Sequence, residues 1–394
     1  MAMKKDPGVE SLDRTLKRRT TEGAEVLWEA LEDGKLRCNA CAHRCVILDG
    51  LDGICRVRFN RDQRLRVPWG YVAGLQVDPI EKKPFFHAFP GAVALSFGML
   101  GCDLHCSYCQ NWLTSQSLRD ADAIGAFRDI AAEEIVAIAK RHGAPAMVST
   151  YNEPLISCEW AVEVFRLAKN EGIACGFVSN GNATPEVLDY LRPWVDLYKV
   201  DLKSFRDSAY RKLGGRLEPV LDTIRGLHAA GVWVEVVTLL VPGLNDSEPE
   251  LRDLAAFLAS VSADLPWHVT AFHQNYKMTS SANTTSRDLA RAAEIGKRAG
   301  LRYVYAGNLP GHVANLENTY CHGCGQLLIE RYGYHVQQYR LTAEGACPSC
   351  ETSIPGYWGS GWRVPEQGGG LLARIPRSVD LREPPEHGDE STDD

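Results

Sequence analysis

The chain has 394 residues, 45% hydrophobic and 24% charged, and carries a formal net charge of -7 at neutral pH. This is the composition of a globular protein with ample core, and the length suits two or three domains unless one barrel takes most of it. The acidic balance argues against a nucleic-acid binder, and no apolar run approaches the roughly 20 residues of a membrane span.

In chain order, the charged opening Met1–Pro7 lacks the apolar stretch of a secretory signal, so a cytoplasmic location is expected. Thirteen cysteines in such a compartment are expected to ligate metal or clusters rather than to pair as disulfides. The short basic run Lys17-Arg18-Arg19 reads as a solvated helix start. The first cysteine group follows, Cys38-x2-Cys41-x3-Cys45-x9-Cys55, with His43 inside it. Four thiolates can close a metal site: zinc would make it a structural staple, and additional iron would make it a second cluster or electron relay.

From about residue 92 to 306, strand-type apolar runs alternate with helical patterns. The expected strands are Ala92–Phe97, Ala146–Thr150, Ala174–Ser179, Leu197–Val200, Val232–Leu240, Trp267–Phe272 and Tyr303–Tyr305. Amphipathic stretches lie between them at Ala131–Arg141, Trp160–Glu171, Leu251–Leu258 and Ser286–Arg298. Strand then helix, repeated, predicts an α/β fold with a parallel sheet, as a full or partial (β/α) barrel whose chemistry sits at the C-terminal strand ends. The last cysteine group, Cys321-x2-Cys324-x22-Cys347-x2-Cys350, has the paired knuckles of a zinc ribbon or rubredoxin-like module. Small Cys-rich modules thus flank the barrel at either end. The expected division is 1–91, a Cys-rich segment; 92–310, the barrel; 311–360, the ribbon; and 361–394, a disordered acidic tail. Cys158 and Cys175 read as core thiols.

The central segment Gly101-Cys-Asp-Leu-His-Cys-Ser-Tyr-Cys-Gln110 has the spacing C-x3-C-x2-C directly after a strand. Three thiolates in one loop can hold three irons of a cubane and leave the fourth open. Zinc, with His105 as a further ligand, is the alternative. With Tyr108 as its aromatic, this segment resembles the signature of the radical S-adenosylmethionine (SAM) superfamily. The resemblance implies a [4Fe–4S] cluster on Cys102, Cys106 and Cys109, its open iron chelating SAM. It also implies reductive SAM cleavage to a 5′-deoxyadenosyl radical that abstracts hydrogen from a substrate.

Later segments resemble further parts of that fold. Thr150-Tyr-Asn-Glu-Pro154 is similar to its Gly-Gly-Glu segment, with Tyr151 and Asn152 in place of the glycines and Glu153 facing the SAM amino group. Ser179-Asn-Gly181 would offer Ser179 and Asn180 to the cofactor, or be an ordinary turn. Asp201-Leu-Lys203 resembles the Asp-Leu-Lys of pyruvate formate-lyase activating enzymes, which places Asp201 by the cofactor; an ion pair is the simpler reading. Val241-Pro-Gly-Leu-Asn-Asp246 resembles the same family's adenosyl-side turn, or caps the next helix through Asn245 or Asp246.

The whole chain resembles the radical SAM member of the AmmeMemoRadiSam set. The matching residues are Cys38, Cys41, His43, Cys45, Gly53, Cys55, Arg58 and Asn60, then Pro79–Pro84, Trp267–His273, Tyr303–Asn308, Asn318–Cys321 and Cys347–Cys350. That resemblance implies Memo-type and Ammecr-type partners; a low-potential electron donor is expected as well, and composition leaves no membrane or nucleic acid among the expected partners. No substrate or catalytic side chain is assigned. His273, past the sixth expected strand, could face a substrate, and His268 is a poorer candidate. Two alternatives are a glycyl-radical activase of a partner enzyme and a non-enzymatic metal or electron-transfer protein.

Overall fold

The apolar runs are buried along their whole length rather than on alternate residues. Every residue of Ala146–Ser149 and of Trp267–Ala271 is buried, which is the signature of parallel strands covered on both faces. The structure, a computed structural model, describes residues 11–123 and 125–359. The tail expected at 361–394 lies outside the described residues.

Eight strands form the central sheet: β1 Gly74–Pro79, β2 Val93–Gly98, β3 Ala146–Ser149, β4 Ala174–Ser179, β5 Leu197–Asp201, β6 Trp233–Leu240, β7 Trp267–Ala271 and β8 Val304–Gly307. From β2 to β8 each strand lies parallel to the next in sequence. β1 runs antiparallel along the outer edge of β2, Gly74 opposite Gly98 and Pro79 opposite Val93. No pairing among the described residues joins β1 to β8, so this is the open, partial form of the expected barrel. The seven expected strands are present with ends shifted by one or two residues; β1 is an addition.

The covering helices are α1 Ala132–Arg141, α2 Cys158–Asn170, α3 Pro185–Leu191, α4 Asp207–Leu213, α5 Glu218–Ala229, α6 Glu248–Val261 and α7 Ser286–Arg298. The sequence reading omits α3, α4 and α5. α3 and α4 are two turns or less, too short to show a period, and α3 is set by Thr184, whose side chain accepts from the Val187 N–H, with Pro185 in the first turn. None of the described helices is long and apolar enough to cross a membrane.

Two three-stranded antiparallel sheets precede β1 and carry the first cysteine group. The basic run Lys17–Arg19 closes helix Leu12–Leu16 rather than starting one. Lys17 pairs with Asp13 and Asp52, and Arg19 pairs with Asp129. After β8, the strand Thr319–Tyr320 and the hairpin Leu327–Tyr332/His335–Tyr339 form the C-terminal module. It shares an apolar cluster with Phe86, Tyr303 and Tyr305.

A buried polar network welds this module to the strand starts. Glu235 in β6 accepts from the Phe86 and His87 N–H groups at 3.0 and 2.9 Å, and pairs with His268 Nε2 at 2.7 Å. His87 donates from Nδ1 to the Pro355 carbonyl and accepts at Nε2 from the Tyr305 hydroxyl, each at 2.6 Å. Burial holds its pKa down to about 4, so the ring stays neutral. Arg331 reaches Thr319 Oγ1, the Phe86 carbonyl and, at 3.5 Å, Glu81, with neither side chain of that ion pair exposed. His268 is therefore a structural residue at the end of the sheet opposite the C-terminal strand ends.

At that C-terminal end the sheet is unusually tight. A Cβ on Gly98 would lie 1.9 Å from the Thr150 carbonyl oxygen, so only glycine lets β2 and the turn after β3 approach. Tyr151 takes the left-handed conformation, φ 72°, at the place where the resembling family has glycine. For an aromatic residue this costs on the order of 1–3 kcal/mol. Its hydroxyl is anchored in compensation by Lys83 Nζ at 2.9 Å, Ser96 Oγ at 2.7 Å and Gln76 Oε1 at 2.9 Å.

Two stability measurements check this account. Arg331→Ala strands the Glu81 carboxylate in the interior and is expected to cost about 3–5 kcal/mol in chemical denaturation. Tyr151→Phe keeps the strained backbone but removes its anchor, with an expected loss of about 1–3 kcal/mol.

Candidate active site

The loop after β2 turns out of the sheet at Gly101, φ 96°, where a Cβ would press on Val57 and on the Cys55 carbonyl at 3.0 and 3.3 Å. It then places Cys102, Cys106 and Cys109 along one wall of an open cleft at the C-terminal strand ends. The opposite walls come from the turns after β3, β4 and β5 and include Glu153, Ser179, Asn180, Asp201 and Lys203. Four separate strand ends thus contribute to one concavity, as expected of this architecture.

Burial raises all three thiols. Cys106 is pushed up to about 11, and at Cys102 the Asp103 carboxylate adds to the effect of burial. Such thiols stay protonated at neutral pH unless the group they bind brings positive charge, as iron does. Their spacing separates a cluster from a lone ion. Two sulfurs on one zinc are at most about 4.6 Å apart, twice a Zn–S bond of ~2.3 Å. Among the described residues only Cys321, Cys324, Cys347 and Cys350 bring three or more ligand atoms within 4.8 Å of one another. The central trio is spread more widely, which fits a polynuclear cluster. His105 is exposed and lies against Gly214, away from the cleft lining.

Glu153 opens the helical turn Pro154–Ser157 and is 2% exposed. Its carboxylate accepts from the Ser179 hydroxyl at 2.7 Å, the Asn180 N–H at 2.7 Å and the Leu155 N–H at 3.1 Å. Burial and the nearby Asp103 carboxylate push its pKa up to about 8, against those three donors. Asp103, fully buried, accepts from the side-chain amides of Asn180 and Asn182 at 2.7 and 2.8 Å. Ser179 and Asn180 line the cleft, and their donors hold the two carboxylates. Gly181 takes a positive φ, 73°. Asp103 and Asn182 were missed in the sequence; the only signal was their place beside Cys102 and Asn180.

Asp201 bonds Lys199 and Lys203, the latter at 3.2 Å. Burial alone would raise its pKa, but the two ammonium groups hold it down to about 2. The ion-pair reading of Asp201-Leu-Lys203 is thus present, and it borders the cleft. Tyr108 is seated behind the trio in an apolar cluster with Leu104, Leu213, Val241 and Phe272 rather than in the lining. Asn245 does not cap α6, whose N-cap is Ser247. Its side chain instead closes the turn onto the Val241 N–H and ties it to the Lys203 carbonyl at 2.7 Å. His273 is exposed, its Nδ1 3.3 Å from Gln110 Nε2 at the end of the cysteine loop.

At the chain's end, Cys321 and Cys350 sulfurs lie 3.5 Å apart and those of Cys324 and Cys347 3.7 Å apart. A tetrahedral ion with ~2.3 Å bonds sets neighbouring sulfurs about 3.8 Å apart, so this group has the dimensions of a single-ion site. Cys158 and Cys175 are buried in the core.

Residues 98–255 match the family model of the Radical SAM superfamily. The uncharacterized protein MJ0808 of Methanocaldococcus jannaschii is 36% identical over 332 residues, 84% of this chain and 98% of the relative. A pyruvate formate-lyase-activating enzyme of Clostridium pasteurianum is 24% identical over 190 residues, 45% of this chain and 76% of the relative. A domain of a pyruvate-formate lyase-activating enzyme from Bacteroides vulgatus ATCC 8482 has a TM-score of 0.36 at 20% identity, over 41% of this chain and 98% of that one. With the match to the family model lying across the cysteine loop and its cleft, the chain belongs to the radical SAM superfamily, as an enzyme whose cofactors are a [4Fe–4S] cluster and S-adenosylmethionine.

Proposed function

We propose that Cys102, Cys106 and Cys109 ligate the [4Fe–4S] cluster and that Glu153 receives the amino group of SAM. The observation that carries this reading is the convergence of the three thiols and Glu153 on one cleft. Bound there, cluster and SAM supply reductive cleavage of the sulfonium to a 5′-deoxyadenosyl radical, which takes hydrogen from a substrate. The protein's share is positioning. Ser179 and Asn180 fix the Glu153 carboxylate so that it can accept a charge-assisted hydrogen bond. The Asp201–Lys203 pair gives the far wall two opposite charges with little net charge.

In this reading the C-terminal module, 311–360, is a separate zinc ribbon that braces the barrel, 92–310, and the segment 1–91 carries its own metal site. The motif matches from Cys38 to Cys350 support membership of the AmmeMemoRadiSam set, with Memo-type and Ammecr-type partners and a low-potential reductant. Similarity to a pyruvate formate-lyase-activating enzyme supports a second reading, an activase that places a glycyl radical on a partner protein.

The protein, reconstituted anaerobically with iron and sulfide, is expected to release 5′-deoxyadenosine from SAM on reduction, and Cys106→Ala is expected to lose that activity. Intact SAM with wild-type protein carrying a full cluster would overturn the reading. Elemental analysis is expected to find one zinc that survives Cys106→Ala and is lost in Cys347→Ala. Glu153 gives a pH signature in the metal-free protein. Its folded pKa lies above the unfolded one, so the folded chain keeps a proton that the unfolded chain releases. Stability from this group is full at low pH and declines by at most about 1.4 kcal/mol per unit as pH rises through the interval between the two. Urea denaturation at pH 5.5 and 7.5 is expected to show that decline in wild type and less of it in Glu153→Gln.

A further inference from the structure

We propose that Cys38, Cys41, Cys45 and Cys55 hold a second iron–sulfur cluster, fully ligated by protein, that relays electrons to the site at Cys102, Cys106 and Cys109. The second cluster stands on its own observations; only its relay role rests on the cluster reading of the central trio.

The four thiols are brought together by two turns. The Cys38 N–H donates to the Cys45 carbonyl at 2.9 Å and closes the loop that carries Cys41 and His43. The turn Gly53–Arg58, closed by the Gly53 N–H on the Arg58 carbonyl at 2.8 Å, lays Cys55 against it. All four are free thiols, and Cys38, Cys41 and Cys55 are buried. No three of their sulfurs share the 4.8 Å span found for the C-terminal group, so they are not drawn up around a single ion with ~2.3 Å bonds. The N-terminal and C-terminal groups thus differ in the same way as a cluster site differs from a single-ion site.

Hydrogen-bond donors are already aimed at the sulfurs. Arg58 Nε lies 3.2 Å from Cys38 Sγ, and the Ile54 N–H lies 3.5 Å from Cys45 Sγ. Arg58 is 1% exposed and is locked by two further bonds to Glu159, at 2.7 and 2.8 Å. Such donors stabilise thiolates and tune cluster potential. Four thiolates leave no iron open to a substrate, which leaves electron transfer or structure as the role.

Placement selects electron transfer. Cys45 is the half-buried member, whereas the Cys55 carbonyl would lie 3.3 Å from a Cβ on Gly101, the residue before Cys102. His43 Nε2, buried without a hydrogen-bond partner, is 3.7 Å from Asp103, the residue after Cys102. The Ala42 N–H donates to the Asn182 carbonyl at 2.9 Å. The second site therefore lies between solvent and the active-site loop. In each relay event it accepts one electron from an external low-potential one-electron donor and gives one to the central cluster. It returns to its starting oxidation state, and no proton or covalent bond changes.

The test begins with the full-length variant Cys102→Ala/Cys106→Ala/Cys109→Ala, which leaves the proposed site untouched. Reconstituted anaerobically with iron and sulfide, it is expected to retain about four iron and four sulfide per chain, with a reducible cluster spectrum. Zinc or no metal in the N-terminal group would overturn the proposal, whatever the wild-type protein does with SAM. The relay is then read in Cys45→Ala with the central trio intact; this truncation is at the half-buried position and spares the core. Stopped-flow reduction of the central cluster by a flavin-carrying protein donor is expected to slow at least tenfold, while reduction by titanium(III) citrate stays unchanged. An unchanged rate with the protein donor would refute the relay.

Discussion

Asn180 stands between two buried carboxylates. Its backbone N–H is bonded to Glu153 and its side-chain amide to Asp103. A carboxylate without donors inside a protein is too costly to keep charged, so these bonds oblige the turns after β2, β3 and β4 to meet at one point. The three thiols ride on the first of those turns, and Glu153 ends the second. The geometry of the candidate active site therefore follows from satisfying two acids, with Ser179 and Asn182 completing the set.

That arrangement is held under strain at one end of the sheet and secured at the other. Tyr151 keeps a left-handed backbone beside the cleft, and Gly98 permits an approach that no side chain would allow. The strand starts carry the opposite character: Glu235, His268, His87, Tyr305 and Arg331 form a fully partnered network that binds the C-terminal module to β6, β7 and β8. Separating a strained reactive end from a rigid supporting end is the division that parallel α/β architectures favour, because loops at the C-terminal strand ends can vary without touching the packing below.

The three cysteine groups, similar as strings of letters, differ in space. The last draws its sulfurs to 3.5 and 3.7 Å, the edge of a tetrahedron around one ion. The other two are not drawn together in this way, and they share a border: the Cys55 carbonyl lies beside Gly101, and His43 Nε2 is 3.7 Å from Asp103. The intervals pointed to a cluster for the central group and to a single ion for the last, but left the first open between the two, since a loop of three or four residues can close around an ion or open around a cluster.

The alternation of apolar runs and helical stretches was enough to place seven parallel strands, because strands buried on both faces read as continuous apolar segments. The C-x3-C-x2-C loop after the first of them was enough to single out the cleft of the candidate site, because its ligand types are chemically specific. β1 was hidden because it is an edge strand containing Gly74, Asp78 and Pro79, and the helices α3 and α4 because a period needs more than two turns to show. What Ser179, Asn180 and Asp201 do was decided by the tertiary structure. Hydrogen bonds between Asn180 and Asp103 span 77 residues, and such pairings are set by which strand ends become neighbours. The same holds for His268, whose position near a strand start carries it to the supporting end, where Glu235 claims it.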